Sequence, residues 1–179
     1  MAAESRRANR QLIADAAVGD SSALAELYDG YAESLYELAL RLTESPADSR
    51  DIVHDVFVGL PDALRTFSND GRFDSWLRQL TARTALVLLR HQRSRREVAL
   101  DRLNDLLHLS PTSPVVEWVS MERAISGLPE RFRLVVVLKE VEGYSHREVA
   151  ALLGIRPDTS MRYLCTARKL LHEMLGDPS

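Results

Sequence analysis

Residues 128–171 read LPERFRLVVVLKEVEGYSHREVAALLGIRPDTSMRYLCTARKLL. Apolar side chains at Phe132, Val135, Val136 and Leu138 recur near a helical period across 128–140. Pro129 suits a first helical turn, where a missing N–H leaves no bond unmade. Gly143 breaks the pattern. Ser145, with Glu148 three residues on, has the form of a capping box and predicts a short helix, His146–Leu153, closed by Gly154. Its predicted inner face is Val149, Ala150 and Leu153. Asp158 and Thr159 are then good caps for a second helix reaching Leu175, with Leu164, Ala167 and Leu171 inward. Two helices joined by a short glycine-containing turn make a helix-turn-helix, whose second helix lies in the DNA major groove. An ordinary helical hairpin in a core would share that pattern. The outward Arg162, Tyr163, Arg168 and Lys169 favour nucleic acid.

The rest of the chain agrees with a helical protein. With 179 residues it can form one domain or two small ones, and 45% hydrophobic against 27% charged residues is a soluble, globular balance. The β-branched run 135–137 sits inside a helical pattern, so the expected fold is all-α. A net charge of −3 gives no overall basicity; the distribution of charge carries the argument instead. Between 44 and 70 the acids Glu44, Asp48, Asp51, Asp55, Asp62 and Asp70 outnumber Arg50 and Arg65. From 72 to 96 the sign reverses, with Arg72, Arg78, Arg83, Arg90, Arg93, Arg95 and Arg96 against Asp74. From 97 to 122 it turns acidic again. Basic zones suit phosphate backbones and acidic zones suit basic protein surfaces, although a charge run is more often just a solvated face.

Taken in order, two helices are expected at 11–18 and 21–41, divided by Gly19 and Asp20. The second carries Leu24, Leu27, Tyr28, Tyr31, Leu35, Leu38 and Leu42 at steps of three and four, with both tyrosines read as core. Ser45 caps and Pro46 starts a third helix, with Ile52, Val53, Val56, Phe57 and Leu60 on one side. Asp48, Asp51, His54 and Asp55 stand on the other. Pro61 is expected to end or kink it. Ser68, Asn69, Asp70 and Gly71 give a loop signal, and Phe73, Trp76, Leu77 and Leu80 open a helix that runs into the arginine-rich 90–96. A loop feeding such a helix could take an unstacked strand, while a core role for Trp76 is the simpler reading. Prolines 111 and 114 punctuate an inter-domain linker, and a helix over 118–126 opens the second domain.

Enzymatic chemistry finds no footing. His54, His91, His108, His146 and His172 are scattered without metal-ligand spacing, and no HExxH, CxxC or glycine-rich phosphate loop occurs. We expect no catalytic residues, no metal and no cofactor. Cys165, the single cysteine, is read as a helical packing residue. No apolar run approaches the roughly 20 residues of a membrane span, and the N-terminus lacks a signal-peptide core, so a cytoplasmic protein without membrane insertion is expected.

These motifs together resemble a bacterial RNA polymerase sigma factor, of the extracytoplasmic-function group of the sigma-70 family, over nearly the full chain. The match rests on Leu128-Pro129-Glu130-Arg131, Glu142-Gly143-Tyr144-Ser145, Glu148-Val149-Ala150, Leu153-Gly154-Ile155 and Ala167-Arg168-Lys169. In the amino-terminal half it rests on 24–31, on DIVHDVF at 51–57 and on FDSWL at 73–77. The resemblance implies a sigma domain 2-like unit at 1–96, an acidic, proline-containing linker at 97–115 and a sigma domain 4-like helix-turn-helix at 116–179. It implies core polymerase as partner, through the beta-prime clamp and beta flap, with Asp51, Ile52, His54, Asp55, Phe57 and Val58 as the docking residues. Ser68, Asn69, Asp70, Gly71, Arg72, Arg83 and Arg90 would meet the minus-ten element of promoter DNA, with a base flipped into the loop. Arg156, Asp158, Thr159, Met161, Arg162, Tyr163, Thr166 and Arg168 would read the minus-thirty-five element. An anti-sigma factor covering 51–57 is a further implied partner. The sequence departs from the family at Arg83, where asparagine is usual, at Pro61, where an aromatic is common, and at Ser160, where an apolar residue is expected. The rival reading is a polymerase-independent helix-turn-helix regulator with 1–96 as a sensory or dimerising domain, which needs a ligand pocket or a dimer seam.

Overall fold

The computed structural model describes residues 2–67, 72–101 and 121–175, with side chains described in 10–67, 72–95 and 121–175. The chain divides into two compact units, Met1–Leu88 and Leu89–Ser179. Every regular element among the described residues is helical. The loop 68–71 and residues 102–120, which include most of the expected linker and the start of the expected helix over 118–126, lie outside them.

The first unit holds α1 (Ala2–Ala17), α2 (Ser21–Thr43), α3 (Pro46–Leu64) and the first half of α4 (Phe73–Asp101). Asp20 begins α2 by accepting from the Ala23 N–H at 2.8 Å, and the Ser22 hydroxyl donates to the same carboxylate at 2.6 Å. Those donors hold its carboxyl below the usual range, the Ser22 hydroxyl first. Glu44 closes α2 in the left-handed region, at φ 58°. Ser45 then caps α3 and Pro46 takes its first turn, as the sequence predicts. Leu27, Leu35, Leu38 and Leu42 of α2 are buried, as are Ile52, Val53, Val56 and Leu60 of α3 and Leu77, Ala82 and Ala85 of α4. Buried hydroxyls in this apolar core bond to backbone: Thr81 donates to the Leu77 carbonyl at 3.0 Å, and Ser49 to the Ser45 carbonyl at 2.7 Å.

Three expectations need correction here. Of the end or kink expected at Pro61, the end does not occur: α3 continues to Leu64. The proline removes the bond that would reach back to the Phe57 carbonyl, but burial of Leu60 and Leu64 on either side keeps the last turn in place. Tyr28 is 47% exposed rather than core, although one side of its ring packs on the half-buried Phe57 ring, with centroids 4.9 Å apart. Finally, α4 runs to Asp101, into the stretch from 97 that was assigned to the linker.

The second unit holds α5 (Met121–Ser126), α6 (Glu130–Val136), a π-helical turn (Val137–Val141), α7 (His146–Leu153) and α8 (Pro157–Leu175). The helix expected over 128–140 therefore widens partway. The Glu142 N–H reaches the Val137 carbonyl at 2.9 Å, five residues back, and the Tyr144 N–H reaches Leu138 at 3.0 Å. Gly143, at φ 75°, then turns the chain into α7. The capping box is complete: Ser145 Oγ accepts from the Glu148 N–H at 3.3 Å, and Glu148 accepts from the Ser145 N–H at 2.7 Å. These bonds hold the Glu148 carboxyl below its ordinary value. Gly154 closes α7 at φ 68°.

The faces shift slightly from expectation. On α7 the buried residues are Val149, Ala150 and Leu152, with Leu153 half-exposed. On α8 they are Ser160, Leu164 and Ala167, with Leu171 half-exposed. α8 starts at Pro157, before Asp158 and Thr159, since proline at a first helical position loses no bond. Arg133 enters the core at 6% exposure, its Nη1 3.5 Å from the Leu128 carbonyl.

Candidate docking and nucleic-acid interfaces

On α3 the spacing 51, 54, 55, 58 places four side chains on one helical face. Asp51, His54, Asp55 and Val58 are all exposed, Val58 at 68%. An acidic surface with an apolar member suits a basic partner that also buries some aliphatic area. Phe57 sits at the margin of this face, half-buried under Tyr28. Ile52 is corrected: at 1% exposure it faces inward and belongs to the core that supports the face.

Of the residues assigned to the minus-ten element, Ser68, Asn69, Asp70 and Gly71 lie outside the described residues. What flanks them is an aromatic cluster. The Phe67 ring lies 4.8 Å from Trp76 and 5.8 Å from Phe73, and the Tyr31 ring meets Phe73 at 5.5 Å. Phe73 is buried, whereas Trp76 is half-buried and keeps part of its surface open. The Tyr31 hydroxyl donates to the Asp74 carboxylate, tying α2 to the first turn of α4. Burial, then that carboxylate, pushes the Tyr31 phenol well above its usual range. Arg72 and Arg83 are exposed. Arg90 is exposed too, but it falls in the second unit, where its guanidinium donates to the Leu152 carbonyl at 3.0 Å.

The helix-turn-helix brings the remaining candidates together. Arg156, Asp158, Met161, Arg162, Thr166 and Arg168 are exposed, and Thr159 and Tyr163 are half-buried. Tyr163 packs edge-on against Phe132, centroids 5.5 Å apart, so its ring serves the fold as well as the surface. The Thr166 hydroxyl donates to the Arg162 carbonyl at 3.1 Å, and Arg156 lies 3.9 Å from Asp158. Cys165 is corrected to exposed; the helical turn puts Leu164 inward in its place. It lines a shallow surface pocket of about 500 Å³ with His146, Met161, Leu164, Arg168, Lys169 and His172.

Two contacts escaped the sequence. Ser160 is fully buried, and its Oγ lies 2.9 Å from His146 Nδ1. The Arg168 guanidinium meets Glu140 at 3.0 Å. The first had a signal, a polar residue on the inner stripe of α8. The second joins residues 28 apart, beyond any local spacing rule. Among the described residues, no group of His, Cys, Asp and Glu could hold a metal ion. No described helix is long and apolar enough to cross a membrane.

Comparison with known proteins places this architecture. Residues 27–95 match the family Sigma-70 region 2, and residues 118–171 match Sigma-70, region 4. The chain is 27% identical to ECF RNA polymerase sigma factor SigE of Mycolicibacterium smegmatis, over 91% of this chain and 66% of that protein. It is 26% identical to ECF RNA polymerase sigma factor SigM of Mycobacterium tuberculosis, over 95% and 86%. The chain thus spans just under two thirds of the first relative and most of the second. The sigma factor RpoE from Bartonella quintana, solved in complex with the anti-sigma factor NepR, shares the fold, with a TM-score of 0.59 over 87% of this chain and 98% of that one at 18% identity. With both regions matched in order along an all-helical chain, the protein belongs to the sigma-70 family of RNA polymerase sigma factors, in its extracytoplasmic-function group.

Proposed function

We propose that this protein binds core RNA polymerase and directs it to particular promoters, assisting their melting. The observation that carries the reading is the presence of regions 2 and 4 in order on one chain. Asp51, His54, Asp55 and Val58 meet the beta-prime clamp, where carboxylates exchange water for basic side chains. The segment 68–72, with Arg83, receives the minus-ten strand. A base leaving the duplex must recover stacking elsewhere, and the open surface of Trp76 beside Phe67 offers an aromatic plane for it. The second unit reads the minus-thirty-five element in the major groove from α8 and docks on the beta flap. The acidic linker at 97–115 runs in a polymerase channel built for nucleic acid. An anti-sigma factor covering the α3 face would hold the protein inactive, since it would occupy the acidic surface that docks on polymerase. Such a protein acts by recruitment, with no catalytic group of its own.

The test is run-off transcription by core polymerase on a library of bacterial promoter fragments, with and without the protein. New start sites that require the protein support the reading. An unchanged transcript set, with active polymerase, sinks it.

A further inference from the structure

Arg168 is one of the α8 side chains assigned to the duplex, and it already has a partner. Its Nη2 lies 3.0 Å from Glu140 Oε1 on the π-helical turn. Both side chains stay open to solvent, Arg168 at 64% and Glu140 at 41%. Around them the surface is basic: Lys169 and Arg168 line the shallow pocket with His146 and His172. Glu140 places a carboxylate at the edge of the cationic patch that a phosphate would approach.

An ion pair this exposed is weak and exchanges readily. A guanidinium carries five donors, and a phosphate oxygen pair can engage two of them at once. The exchange of carboxylate for phosphate therefore runs toward the phosphate. It also leaves Glu140 near the DNA backbone without its counter-ion. We propose that Glu140 is an intramolecular competitor for Arg168, which holds the guanidinium in the free protein and lowers affinity for every duplex by the same factor. The proposal rests on the reading of α8 as a duplex-binding helix, with Arg168 placed on the DNA backbone and its neighbours on the bases.

Two consequences follow from charge alone. Because the competitor acts on a phosphate contact, its effect is the same on any sequence. Because Arg168 neutralises the same DNA phosphate with or without its intramolecular partner, the number of counter-ions released from the duplex stays the same.

The full-length protein is titrated against a short mixed-sequence DNA duplex at low salt and again across a salt series. Glu140→Gln is expected to tighten binding about two- to fivefold and to leave the log–log salt slope nearly unchanged, since the same phosphates are neutralised. Arg168→Ala is expected to weaken binding, and Glu140→Gln added to it should tighten binding much less than it does in the wild-type protein. Weaker or unchanged binding in Glu140→Gln overturns the proposal. So does equal tightening in the Arg168→Ala background, since that is a general charge effect. Failure of the wild-type protein to bind any duplex at low salt overturns the DNA reading beneath it.

Discussion

His146 Nδ1 and Ser160 Oγ lie 2.9 Å apart, joining the first residue of α7 to the first turn of α8. Ser160 is fully buried on the inner stripe of α8, between Leu164 and the α7 face. The hydroxyl can sit there because the imidazole supplies a partner. The pair ties the start of α7 to the first turn of α8, beside the apolar packing of the two helices.

Ser160→Ala should therefore cost about 1 kcal/mol, the net worth of a buried hydrogen bond. Two units need not unfold together, so a single melting midpoint is a poor readout. Amide exchange resolved by segment is better: exchange should quicken in α7 and α8 and stay unchanged in α2 and α3. Unchanged protection in α7 and α8 contradicts the role given to the pair.

Two glycines should respond in opposite directions to alanine. Gly154 holds φ +68° with open space around it, so a methyl there meets no atom and only the left-handed backbone resists it. Gly154→Ala should destabilise the second unit by about 1 kcal/mol. Gly59 lies within α3, also with open space. Gly59→Ala should stabilise the first unit by about 0.5–1 kcal/mol, through helix propensity and a less free unfolded chain. Chemical denaturation followed unit by unit checks both signs.

The Tyr31–Asp74 bond predicts an alkaline limit. Burial and the carboxylate hold the Tyr31 phenol above its ordinary value, so ionisation is harder in the folded state than in the unfolded one. The stability this represents is whole below about pH 10, and is lost as pH rises through the raised folded value. Tyr31→Phe should lose the hydrogen bond at neutral pH yet flatten the alkaline decline of the first unit. A decline of the same slope in Tyr31→Phe would place its origin in another group.

Much of this architecture is local in origin and so was legible in the chain. Ser45-Pro46, the Ser145–Glu148 box and Gly154 each act within one helical turn, and each lies where the sequence puts it. Pro61 misled because a local penalty was outweighed by burial of Leu60 and Leu64, which depends on the partners of α3. The π-turn shifts which side chains face inward by a fraction of a turn, and no spacing rule foretells it. The site was legible to the same degree. The exposed face Asp51, His54, Asp55 and Val58 follows from helical period. The burial of Ile52, the exposure of Cys165 and the pairing of Arg168 with Glu140 depend on packing between elements far apart in sequence.

The central claim is that the α3 face docks on polymerase. Asp55 is exposed in the middle of that face, and reversing its charge should turn attraction into repulsion without disturbing the core. The decisive measurement is size-exclusion chromatography of the purified protein mixed with bacterial core RNA polymerase. The account predicts co-elution as a one-to-one complex, lost in Asp55→Arg while that variant keeps its helical spectrum. Elution of the wild-type protein apart from polymerase at low salt, or an Asp55→Arg complex as tight as wild type, would contradict it.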